Sequence, residues 1–79
     1  MRTTAEDLYQ YTTVINSRLQ LPPERAYYVQ YAYGRPRLEQ YLGKGSRDVS
    51  PRLAPGELRQ YLDGMLEGIE QAFISGELT

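Results

Sequence analysis

The segment YAYGRPRLEQYLGKGSRDVSPRL, from Tyr31 to Leu53, gathers the side chains best suited to chemistry. It holds Arg35, Arg37, Arg47 and Arg52, one lysine and three tyrosines, against only two acids, Glu39 and Asp48. Guanidinium groups grip phosphates and carboxylates in bidentate fashion, and tyrosine rings stack on bases or fill protein pockets. Arg35, Arg37, Tyr41, Arg47, Asp48 and Arg52 are therefore the candidate binding residues. In a meander Arg37 and Arg47 lie on adjacent strands, with Arg35 and Arg52 near turns and strand ends. The same residues also suit an ordinary solvated face, with cross-strand pairs such as Arg37 or Arg47 with Glu39, because charges on edge strands discourage aggregation. In SRDVSPRL, Asp48 stands between two arginines and two serines, placed to orient an arginine or to accept bonds from a turn. Ser50, ahead of Pro51, is placed to cap the approach to the following helix.

Catalysis finds little support. The chain has no histidine and no cysteine, which removes the common nucleophile and base pairs, the usual zinc ligand sets and any disulfide. Lys44, the single lysine, sits in a glycine turn, a poor place to bury and activate a nucleophile. GKGS, residues 43–46, lacks the first glycine of a phosphate-binding loop at the required distance and does not lead into a helix, so it reads as a turn. Glu57, Asp63, Glu67 and Glu70 recur at the spacing of a wet helical face. Asp63, Glu67 and Glu70 would suit magnesium at that spacing, but so would any acidic helix. A non-enzymatic protein is expected, with no catalytic residue, metal or cofactor.

The elements that must position these residues follow from periodicity and turn chemistry. Residues 4–20 read as a helix with Thr3 as cap and Glu6 reaching back, and Leu8, Tyr11, Ile15 and Leu19 form its apolar stripe. Its β-branched run, residues 12–15, argues against a helix, and Pro22 and Pro23 end it. Residues 25–33 have strand composition, with Tyr27, Val29, Tyr31 and Tyr33 on the expected core face. Gly34 gives a turn. A second strand, 37–42, puts Leu38, Gln40 and Leu42 opposite Arg37, Glu39 and Tyr41. The GKG at 43–45 predicts a hairpin into a third strand, 46–50, where Val49 is the one clear apolar contribution. Residues 55–75 form a helix with Pro55 in its first turn, Gly76 as its stop, and a broad stripe from Leu58 to Phe73. Gly64 and Gly68, four apart in GMLEG, suggest close approach of another element, across a dimer axis for example. The predicted fold class is α+β: a two-layer αβββα arrangement, a three-stranded antiparallel meander packed on the N- and C-terminal helices.

A chain of 79 residues supports one domain, 1–79, and one this small usually gains stability from tight packing or a second subunit. A homodimer is expected. The start lacks a signal-peptide core, and no run approaches the roughly 20 apolar residues of a membrane span. A cytoplasmic location with no membrane partner is therefore expected. The net charge of −1 conceals an asymmetry. Within residues 25–52, Arg25, Arg35, Arg37, Lys44, Arg47 and Arg52 face only Glu39 and Asp48, whereas from residue 53 onward Arg59 stands alone against Glu57, Asp63, Glu67, Glu70 and Glu77. Eight tyrosines accompany one phenylalanine and no tryptophan. That is more than the core can hold, and exposed tyrosines are enriched at protein interfaces.

Together, YAYGRPRLE, GSRDVSPRL and ELRQYLDGMLEGIEQA resemble a group of small uncharacterised proteins encoded by temperate phages and prophages of proteobacteria. The resemblance runs over residues 26–72 and is most specific at residues 33–38 and 47–52. It implies a phage setting, inside a host cell, where small acidic cysteine-free proteins often act by occupying a host protein. Some inhibit CRISPR surveillance complexes, and others bind signalling nucleotides or host regulators. By that analogy, the expected function is inhibition of a host protein or defence system through protein–protein binding, with the acidic last helix as one route by mimicry of nucleic acid. The alternative is a small nucleotide or nucleic-acid binding module on the Arg and Tyr sheet face, whose affinity would fall steeply with salt.

Overall fold

In the computed structural model, which describes residues 2–76, helix α1 (Ala5–Arg18) starts one residue later than its sequence suggests. Thr4 is the cap: its hydroxyl accepts the Asp7 N–H at 3.2 Å, and the Asp7 carboxylate accepts the Thr4 N–H at 2.9 Å. The reciprocal box needs an acid three residues after the cap, and Thr4 with Asp7 meets that condition as well as Thr3 with Glu6. The β-branched run is helical all the same: Thr12 and Ile15 are buried, and Thr12 and Thr13 both donate their hydroxyls back to the Tyr9 carbonyl. After Gln20, whose φ of 54° breaks the helical path, Pro23–Arg25 form a single 3₁₀ turn. The first strand is thereby delayed to Tyr27.

Strands β1 (Tyr27–Ala32), β2 (Arg35–Tyr41) and β3 (Ser46–Asp48) form an antiparallel meander in the order β1-β2-β3. The β1–β2 connection is a two-residue turn, Tyr33–Gly34, with φ of 55° and 73°, as a hairpin turn of the I′ kind requires. Tyr33, expected on the core face, is therefore a turn residue and fully exposed. Strand β2 starts earlier than predicted and takes in Pro36. Residues 35, 37, 39 and 41 direct their backbone groups toward β1, so the nitrogen of Pro36 faces the other way and no bond to β1 is lost. β3 is shorter than predicted. Beyond it, the Val49 and Ser50 amides both donate to the Leu38 carbonyl, at 2.8 and 3.2 Å. The Ser50 hydroxyl accepts the Leu38 N–H at 3.0 Å and donates to the Pro51 carbonyl. Ser50 thus pins the connector to the centre of the sheet instead of capping the last helix.

Helix α2 (Pro55–Ile74) begins with Pro55 as its first residue, the Glu57 carboxylate accepting the Ala54 N–H at 3.0 Å. It stops before Gly76, whose φ is 82°. Both helices cover one face of the sheet. Leu8 and Ile15 of α1, Leu38 of β2, and Leu58, Leu62 and Ile69 of α2 form the buried cluster, with Tyr27, Val29 and Val49 packed on it. Tyr31, expected on the core face, is exposed, as is Leu42 just past the end of β2. The helices are also tied by an Arg18–Glu70 pair at 2.9 Å and by the Tyr11 hydroxyl donating to Asp63. No helix among the described residues is long and apolar enough to cross a membrane.

Gly64 and Gly68 face open space, since a Cβ built on either meets nothing within 4 Å. Among the described residues no neighbour accounts for them. Each therefore carries the entropic cost of glycine in a helix interior without return. Gly64→Ala and Gly68→Ala should each raise the unfolding free energy by about 0.4–1 kcal/mol in urea denaturation. A loss of stability would mean that something packs against that line.

Candidate functional site

Turn geometry decides which side chains meet on the face the helices leave open. The two-residue turn sets Tyr28 opposite Glu39 and Gln30 opposite Arg37, and the second hairpin sets Glu39 opposite Asp48. With side chains alternating along each strand, Tyr28, Gln30, Arg35, Arg37, Glu39, Tyr41 and Asp48 share the uncovered face. Gln40 and Arg47, also opposite each other, belong to the reverse pleat.

Glu39 is the centre of this face. It is only 5% exposed, although no helix covers it, because its neighbours close over it. The Tyr28 hydroxyl donates to Oε1 at 2.6 Å, and Arg37 donates to Oε2 from Nε at 2.9 Å and from Nη2 at 2.6 Å. The same Nη2 lies 3.4 Å from Asp48 Oδ1. The Tyr28 ring stacks on Tyr41 with centroids 4.3 Å apart, close to the favoured offset distance. The Tyr28 bond, then the Arg37 bonds, hold the Glu39 carboxyl below its ordinary value of 4.5 against the opposing pull of desolvation. In return, the bond to Glu39 pushes the Tyr28 phenol above its ordinary 10.0 and keeps it a donor.

Arg52 reaches the edge of the same group from the connector after β3. Its Nη1 donates to the carbonyls of Gln30 and Arg35 at 3.2 and 3.0 Å, and its Nη2 to Gln30 Oε1 at 2.5 Å. These bonds fix the connector to both strands of the first hairpin. Of the six candidate residues, Arg35, Arg37, Tyr41 and Asp48 are therefore brought to one face, with Arg52 at its margin. Arg47 is turned away and donates to Gln40 Oε1 at 3.0 Å. Arg37, Arg47 and Arg52 do not converge, and each already has an acceptor within the chain. Tyr28, Gln30 and the burial of Glu39 were missed by the sequence reading. Treating Tyr33–Gly34 as a two-residue turn would have placed Tyr28 across from Glu39.

The acidic helix is likewise engaged with its own chain. Glu57 holds the start of α2, Asp63 accepts from Tyr11, and Glu70 pairs with Arg18. Glu77 lies outside the described residues. Among those residues no three acids gather in a way that could hold a metal ion. Comparison with protein-family models, with curated proteins and with solved structures gives no significant match.

The lowered Glu39 pKa fixes the sign of a pH effect. A carboxylate whose folded pKa lies below its unfolded value contributes stability that is fully present above the ordinary range. That contribution is lost as pH falls through the lowered value. Glu39→Gln should cost about 1.5–3 kcal/mol at pH 7, the usual worth of hydrogen bonds to a charged group. Urea unfolding should show the gap between wild type and variant closing as pH drops below 4.5. A gap that stays constant into acid would mean that the charge on Glu39 contributes nothing.

Proposed function

We propose that this chain is a non-enzymatic interaction protein that docks a protein partner with the open face of its sheet. The observation that carries the reading is the Tyr28–Tyr41 stack over Glu39, beside arginines that already have acceptors. A surface whose aromatic side chains are held in place loses little entropy on binding, and tyrosine and arginine are the residues that dominate protein interfaces. Its charges are nearly balanced, with Arg37 set against Glu39 and Asp48. That favours a protein surface over a polyanion, which would have to compete with carboxylates for the same guanidinium. The resemblance to temperate-phage proteins supplies the setting: inside a host cell, occupying and inhibiting a host protein or a defence complex, in the manner of a CRISPR inhibitor. Mimicry of nucleic acid by α2 is the weaker route, because Glu57, Asp63 and Glu70 are spent on contacts within the chain.

The alternative, a nucleotide or nucleic-acid module, would draw on Arg35 and the fully exposed Tyr33 at the β1–β2 turn. Base stacking on Tyr33 and phosphate contact by Arg35 are chemically reasonable.

Affinity capture from a bacterial lysate separates these readings when run with nuclease and high-salt arms. Wild type should retain a protein through both arms, and Tyr41→Ala, at a side chain left 45% exposed, should lose it. Retention that disappears with nuclease or salt and survives Tyr41→Ala would favour nucleic acid instead.

A further inference from the structure

The two edges of the sheet are unlike. β3 is three residues long and carries Arg47 and Asp48, the short charged form that discourages pairing with another chain. β1 has six residues, YYVQYA, with no charge and no proline. Its outer edge can be read from the hydrogen bonds. The Tyr41 amide donates to the Ala26 carbonyl, so by alternation Tyr28, Gln30 and Ala32 direct their backbone groups to β2, while Tyr27, Val29 and Tyr31 direct theirs outward. Tyr27 is already taken: Asn16 of α1 accepts its N–H at 2.7 Å and donates to its carbonyl at 2.9 Å, as a neighbouring strand would. Among the described residues, none pairs with the outward backbone groups of Val29 and Tyr31.

We infer that β1 is a homodimer edge, pairing antiparallel with β1 of a second copy about a two-fold axis at Gln30. In that register Val29 of each copy lies opposite Tyr31 of the other, and each pair exchanges both of its N–H···O bonds. Every free donor and acceptor on both edges is satisfied. Shifting the axis to Val29 would require the Tyr27 groups that Asn16 occupies. Shifting it to Tyr31 would require Tyr33, which has left the strand with its φ of 55°. The edge is therefore self-complementary in one register, as a two-fold interface must be.

The flank beneath the edge suits the same occupant. A groove of about 350 Å³ runs between α1 and β1, lined by Tyr9, Thr13, Asn16, Val29 and Tyr31 among others. None of its nine lining residues is charged, in a chain where 24% of residues are, so a second copy meets no like charge there. Tyr31 shares the helix-side face with Val29. In the paired register its ring, 40% exposed in the single chain, enters the groove of the other copy beside Val29. The axis stands perpendicular to the sheet. The dimer is then a continuous six-stranded sheet with both open faces on one side, whichever partner those faces take.

Sedimentation of the full chain across a concentration range, with amide exchange read by NMR, tests the edge. Wild type should dimerise, and exchange at the Val29 and Tyr31 amides should slow as concentration rises through the dissociation constant. Tyr31→Lys should weaken the dimer on the order of tenfold, since the change enters twice by symmetry. Ile74→Lys, at an exposed position on α2, should leave it unchanged. A wild-type monomer at about 1 mM overturns the inference. So does a dimer in which the Val29 and Tyr31 amides stay unprotected, whatever the variants do.

Discussion

A carboxylate withdrawn from water in the middle of a three-stranded sheet is the constraint on which the open face depends. Glu39 is nearly inaccessible although only neighbouring side chains cover it. Leaving such a charge without partners would cost several kcal/mol. Tyr28 and Arg37 supply the bonds, and in doing so lose their freedom. The fixed Tyr28 ring presents a flat surface on which Tyr41 stacks, and the fixed guanidinium meets Asp48 on its other side. One residue thereby sets the positions of four others on a face with no helix to hold them.

The same economy runs through the rest of the molecule. Several of the charges that look like two opposed patches in the sequence are engaged at close range in the fold. Arg37 with Glu39 and Arg18 with Glu70 join acids to bases, Tyr11 caps Asp63, and Arg52 serves backbone carbonyls. A polyanion would have to compete with Glu39 and Asp48 for Arg37, and with backbone carbonyls for Arg52. The proposed docking draws instead on the Tyr28–Tyr41 stack and on unpaired strand groups, means by which protein surfaces recognise one another.

Much of the fold was legible because its signals were local. The apolar stripe of α2, Pro55 at its start, Gly76 past its end and the GKG hairpin each depend on a few adjacent residues. The errors arose where a distant contact or an unusual angle intervened. Tyr33 looked like a strand residue because tyrosine favours strands, yet Tyr33–Gly34 adopts the positive angles of a two-residue turn. The second strand was expected to begin only after Pro36, but the Pro36 nitrogen points away from β1 and the strand runs through it. At the site, composition located the segment and alternation placed Arg37, Glu39 and Tyr41 on one face. The part played by Tyr28 came from pairing across strands, and the separation of Arg47 from Arg37 from the register of the second hairpin. Such facts depend on turn length, which composition does not reveal.

The most direct measure of the central claim is a double-mutant cycle between Tyr28 and Arg37, residues whose coupling should run through the Glu39 carboxylate that both engage. Tyr28→Phe, Arg37→Gln and the double variant would be compared with wild type by urea unfolding at neutral pH. Because the double variant strips Glu39 of both supports, its loss should exceed the sum of the single losses by roughly 1 kcal/mol. Losses that add to within about 0.3 kcal/mol would contradict the account, since the two residues would then act independently and Glu39 would not organise the face.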